Sequence, residues 1–251
     1  MNGANTRKTS DRQAPVAALL FDPAARPSLA DLGGLANTGR AFRVVQSGVG
    51  GATGGEAELL RDGLAFDCHG LAAAPALRID TPLQTIALPR GFATGDHALV
   101  TLRPGAHLAG AAQLLPVVRV LAGIVMALTE LPDVRAVVWL PARLAMSPAW
   151  FVEAVGAWLD GGPFPALALT ALARSDRGLA SRGLAYFVGQ EFLFQGRDGV
   201  LREADARGAI RLTDWLVAHG RVDAPQRIEL HGFGTVNIEP VGPDSLLAHS
   251  L

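Results

Sequence analysis

Short apolar runs of two kinds alternate along this chain, and that alternation limits its fold most. Val16–Phe21, Phe42–Val45, His97–Arg103 and Arg135–Leu140 have strand length and strand composition. Between them lie segments of helical length, among them the stretch from about 108 to 130 and Glu203–His219. No 20–50-residue period recurs, which excludes solenoids and propellers. The expected fold is therefore α+β, with mixed or antiparallel sheets and helices packed on one face. A split βαβ (ferredoxin-like) unit in each half fits the element order.

Punctuation residues place the element ends. Asp22-Pro23 closes the first strand, and Ser28 caps a helix over Leu29–Ala36. Leu59–Phe66, Ala76–Asp80 and Gln84–Leu88 read as further strands. Pro116 kinks the long apolar helix or marks its first turn. Ser147-Pro148 opens a helix to about Leu159, as an N-cap serine followed by proline at the first helical position. Ala166–Ala173 reads as a strand, Gly183–Val188 as one helical turn and Glu191–Gln195 as a strand. The helix Glu203–His219 stops at Gly220, and a hairpin around Gly232-Phe233-Gly234 closes the chain. Pro89–Gly95 is the best linker signal. The expected organisation is a polar tail at 1–13, an α+β half at 14–92, a second at 93–242 and a tail at 243–251.

Composition sets the class. The chain has 251 residues, 49% of them hydrophobic and 18% charged, with a net charge of −1. Such a chain buries enough apolar surface to fold without staples, and disorder is excluded for most of its length. Near-neutral charge argues against a nucleic-acid or anionic-membrane partner. A single cysteine, Cys68, excludes an internal disulfide framework and a thiolate-only zinc site, and fits a reducing compartment. The stretch Gly110–Leu131 has the length of a membrane span but contains Arg119 and Glu130. An arginine at mid-membrane would cost about 2.5–3.5 kcal/mol, so a buried helix is expected instead. Residues 1–13 lack the apolar core of a secretory signal, and a cytoplasmic location is expected. Arginines outnumber lysine 21 to one, but they are scattered, as codon bias would scatter them.

Recognised site patterns are missing. The glycine-rich loop 48–55 lacks the Gly-Lys-Ser/Thr of a phosphate loop and the glycine spacing of a dinucleotide fold. In Asp67-Cys68-His69, strand alternation points Cys68 and His69 to opposite faces, so the pair cannot form a nucleophile–base couple. The ten-residue spacing of His97 and His107, with Asp96 nearby, matches no metal motif. Ser47 and Ser181 lack a nucleophile-elbow context. No cofactor is expected.

One stretch holds convergent polar groups. Arg174, Arg177 and Arg182 precede Glu191, an acid set among apolar residues and therefore either solvent-facing or buried and paired. Glu229 and His231 share one face of a later strand. Should these elements adjoin, Arg182, Glu191, Glu229 and His231 line a polar cleft.

The phrase Arg182-Gly183-Leu184-x-x-Phe187-x-Gly189-x-Glu191 and the closing Gly232-x-Gly234-Thr235 resemble a bacterial family of uncharacterised proteins, domain of unknown function 4261, over about residues 15–240. The resemblance implies a soluble bacterial protein and assigns no activity or catalytic residue. His231 stands where that family is more acidic, so a shared role for the last turn does not carry over.

Three functions follow as expectations. The first is a non-catalytic binding or protein-interaction module for an unidentified protein or a small anionic ligand. The second is a small enzyme using the Arg182/Glu191/Glu229/His231 cleft as an acid–base or anion-holding site. The third is self-assembly, most simply a homodimer, through a sheet edge or an apolar helix face.

Overall fold

The computed structural model describes residues 14–39, 41–45, 54–79, 83–197 and 200–251. The expected tail at 1–13 and most of the glycine-rich loop 48–55 lie outside them. The fold is α+β, as the alternation requires, with two compact units.

The first unit comprises the chain up to Leu140 together with Ala145–Asp160. Its strands are β1 (Ala17–Phe21), β2 (Arg43–Val45), β3 (Glu56–Arg61), β4 (Leu64–His69), β5 (Gln84–Ile86), β6 (Ala98–Pro104), β7 (Ala136–Trp139) and β8 (Leu144–Met146). They form one sheet in the order β2-β3-β4-β6-β1-β7-β8-β5. Its helices are α1 (Leu29–Gly39), α2 (Leu115–Leu128) and α3 (Pro148–Leu159).

β1 is central and buried along its whole length, which explains its unbroken apolar run. It pairs antiparallel with both β6 and β7. The eight-stranded order of this sheet is not that of a four-stranded ferredoxin-like half. Leu20, Leu99, Val138 and Ala145 form a cluster on one face, where Ile79, Leu83, Leu88 and Phe92 pack over it. Helix α2 contacts β1 and β4, and α3 contacts β7.

The second unit comprises Pro141–Leu144 and Gly161–Leu251. It holds α4 (Ala166–Leu169), β9 (Ala171–Ser175), β10 (Gly178–Arg182), α5 (Ala185–Val188), β11 (Glu191–Gln195), α6 (Glu203–His219), β12 (Gln226–Leu230), β13 (Gly234–Gly242) and β14 (Ser245–Ser250). The sheet order is β12-β13-β14-β11-β10-β9. β11 and β14 are parallel and the other neighbours antiparallel, so the sheet is mixed. Leu212 and Leu216 of α6 pack on Phe192, Phe194, Val236, Ile238 and Leu246.

Several expectations change. The division at 92/93 does not separate the units: Pro89–Gly95 lies within the first, and the break falls at about Asp160. The reason is β6, almost wholly buried, which completes the sheet begun upstream by pairing with β4 and β1. The expected tail 243–251 contains β14, held between β13 and β11. Leu59–Phe66 is a hairpin rather than one strand, because Asp62 and Gly63 both take positive φ, the signature of a two-residue type I′ turn. The run from Ala166 begins as a helical turn, with the Thr170 hydroxyl donating back to the Ala166 carbonyl at 2.6 Å, and only then enters β9. Of the two roles expected for Pro116, the one observed is that it marks the first turn of α2.

Candidate functional site

The sheet register decides whether the four candidate polar residues meet. Glu191 lies across from Ser245, and Ser245 across from Gly242. Glu229 lies across from Thr235, at the other end of β13. Seven residues along that strand, at about 3.3 Å each, separate the two acids lengthwise by roughly 20 Å, with two strands also between them. Proton transfer needs hydrogen-bond reach or one bridging water, so Arg182, Glu191, Glu229 and His231 do not form one cleft. A shared cleft requires β11 and β12 to adjoin; β13 and β14 stand between them.

Each member then has its own setting. Glu191 is half-buried and saturated with donors. Its carboxylate accepts the Ser181 hydroxyl at 2.6 Å, the Gly183 N–H at 2.7 Å and the Ala185 N–H at 3.1 Å. The Ser181 oxygen in turn accepts the Phe192 N–H at 2.7 Å. This acid therefore ties the entry of β11 to the exit of β10 and the start of α5. Gly183 permits the geometry: its φ is +84°, and a Cβ there would come within 2.7 Å of the Ala142 backbone. Arg182 is exposed and makes no ion pair among the described residues. Glu229 is exposed and accepts the Thr235 hydroxyl at 2.7 Å. His231 is exposed in the turn after β12.

The register also defines a face on this sheet. Because α6 covers the Phe192, Phe194, Leu246 and Val236 side, alternate residues occupy the other side. There Glu239, Leu247, Leu193, Ala180 and Ala173 stand in a row across five strands. Beside it runs a polar row, Arg227, Asn237, His249 and Gln195. Leu193 and Leu247 are half-buried, as are His249 and Gln195.

The sequence did not reveal the polar cluster of the first unit. The end of β1 and the starts of β6 and β7 lie at the same end of these three adjacent strands, so Asp22, His97 and Arg135, each one residue outside its strand, converge. Arg135 donates from Nε at 3.2 Å and from Nη2 at 2.6 Å to Asp22 Oδ2. His97 Nε2 lies 3.7 Å from Asp22 Oδ1, and its Nδ1 faces the Ala93 carbonyl at 3.0 Å. The Phe92 ring stacks on the imidazole at a centroid distance of 4.6 Å. The available signal was a charged or imidazole residue flanking each of three strands. Residues 22, 97 and 135 are too far apart in sequence for any local motif to join them.

The other singled-out residues take separate partners. Asp67 receives Arg103 Nε at 3.0 Å, while His69 Nδ1 lies 3.1 Å from Glu56. Cys68 is buried between them, and burial pushes its thiol up to about 12, which suppresses thiolate chemistry. His107, at the far end of β6 from His97, faces the Ala65 N–H at 3.5 Å. Among the described residues no group of three or more His, Cys, Asp or Glu side chains could hold a metal ion. No helix among them is long and apolar enough to cross a membrane.

No protein family, curated protein or solved structure matches this chain.

Proposed function

We propose that this chain is a non-catalytic binding module whose partner is a protein. The observation that carries this reading is Glu191: the acid most suggestive of chemistry spends both carboxylate oxygens on three donors of its own chain. The face of the second sheet opposite α6 supports it further. A row of half-buried aliphatic side chains bordered by amide, imidazole and charged groups has the apolar-centre, polar-rim character of recognition surfaces.

A photo-crosslinking amino acid at Leu247 or Leu193 tests it in the native host. The expected result is one and the same protein, other than a second copy of this chain, captured from both positions. It should not be captured from Arg211 on the exposed side of α6. Equal capture from all three positions, or none from the sheet face, overturns the reading.

An enzymatic reading keeps one specific support, the carboxylate–imidazole–guanidinium group of Asp22, His97 and Arg135. Both imidazole nitrogens already face acceptors of the chain, which favours a fastening role over proton transfer. Loss of a measurable turnover in His97→Gln, with the fold intact, would establish the enzymatic reading instead.

A further inference from the structure

We propose that a second copy of this chain pairs with the outer edge of β12, antiparallel, about a two-fold axis at Ile228. The inference is independent of the partner-protein reading. β12 ends its sheet, and among the described residues no strand pairs with its outer side. An edge strand offers unpaired N–H and C=O groups, and proteins either block such an edge or use it.

The backbone polarity of this edge follows from the hairpin. The Leu230 carbonyl accepts the Phe233 N–H at 3.0 Å, so Leu230 turns its backbone groups towards β13. By strand alternation Ile228 and Gln226 do the same, and Arg227 and Glu229 turn theirs outward. Two antiparallel copies centred on Ile228 place Arg227 opposite Glu229 of the other copy, twice over. The four outward backbone groups of each edge then meet four complementary ones.

The side chains agree with that register. Arg227 and Glu229 are exposed and lie on one face, while Ile228 and Leu230 are buried on the α6 face. Directly opposed residues of an antiparallel pair point the same way, so each arginine meets a glutamate across the new ladder. Arg227 makes no ion pair among the described residues of its own chain, and Glu229 holds only the Thr235 hydroxyl. Shifting the centre by one residue removes the match. Centring on Arg227 opposes two arginines and sets Glu229 against Pro225, which has no N–H; centring on Glu229 opposes two glutamates. Charges on an edge strand commonly prevent pairing. Here they permit a single register.

Sedimentation equilibrium of the full chain over a wide concentration range tests the proposal, with circular dichroism confirming the fold of each variant. The wild type should show a reversible monomer–dimer equilibrium. Arg227→Glu and Glu229→Arg should each raise the dimer Kd roughly tenfold or more, since each opposes like charges at two places. Mixing the two variants should restore dimers, because one edge is then wholly acidic and the other wholly basic. Arg227→Pro removes an outward N–H together with the guanidinium, leaves the β12–β13 hydrogen bonds in place, and should also abolish pairing. A wild type that stays monomeric up to about 1 mM overturns the proposal. So does a dimer indifferent to these substitutions, or a mixture that fails to recover.

Discussion

The Arg119 guanidinium lies 4.7 Å from the centroid of the Trp158 ring and donates to the carbonyls of Trp158 at 3.0 Å and Leu159 at 2.8 Å. One cation thus sits on an aromatic face and caps the carboxyl end of α3, where the helix dipole concentrates negative charge. This accounts for an arginine in a strongly apolar helix. Arg119→Met keeps the aliphatic stem and removes both bonds. It should cost about 2–3 kcal/mol in urea unfolding, and Arg119→Lys should recover less than half of that, since a point charge cannot reproduce the planar fork.

Glu191 should prove a stability residue. Glu191→Ala leaves the Gly183 and Ala185 amides and the Ser181 hydroxyl without their acceptor and is expected to lose about 2–3 kcal/mol. Glu191→Gln retains an acceptor for the two amides and should lose about half as much. Thermal or chemical denaturation of the two variants checks the order.

Gly208 in α6 reverses the usual helix rule. Glycine to alanine inside a helix ordinarily stabilises by about 0.5–1 kcal/mol. Here a Cβ would stand 2.6 Å from the Phe233 ring, which packs edge-to-face on Phe194. Gly208→Ala should therefore destabilise by about 1–3 kcal/mol. Adding Phe233→Leu should reduce that penalty, which a double-mutant cycle would register.

Cys68 should react only through unfolding. Its buried thiol is held at about 12, so at neutral pH the thiolate is scarce as well as inaccessible. The native protein should resist iodoacetamide, and its labelling rate should rise with urea along the unfolding curve. Rapid labelling of the folded protein would contradict the burial of β4.

The Ser28–Asp31 capping pair should give a small acid-side instability. The Ser28 hydroxyl and N–H both donate to Asp31 at 2.7 Å and hold its carboxyl below the usual carboxylate value. A group lowered on folding contributes stability above its unfolded value near 3.8, and that contribution fades as pH falls further. Asp31→Asn should flatten the stability profile between about pH 5 and 3. An unchanged profile would show that the pair contributes nothing.

Local chemistry made much of this protein legible. The apolar run of β1, the Ser147 cap of α3 and the length of α6 each depend on residues within a few positions of one another, so spacing alone located them. The α+β class followed from their alternation. What the sequence could not contain is strand order. Whether Glu191 meets Glu229 depends on β13 and β14 inserting between their strands, and Asp22, His97 and Arg135 meet only because β6 and β7 flank β1. Neighbour choice within a sheet is decided by long-range burial, which many local patterns satisfy equally. The elements were therefore written in the sequence, while the polar groups they bring together, and the edge left open at β12, were decided by the tertiary packing.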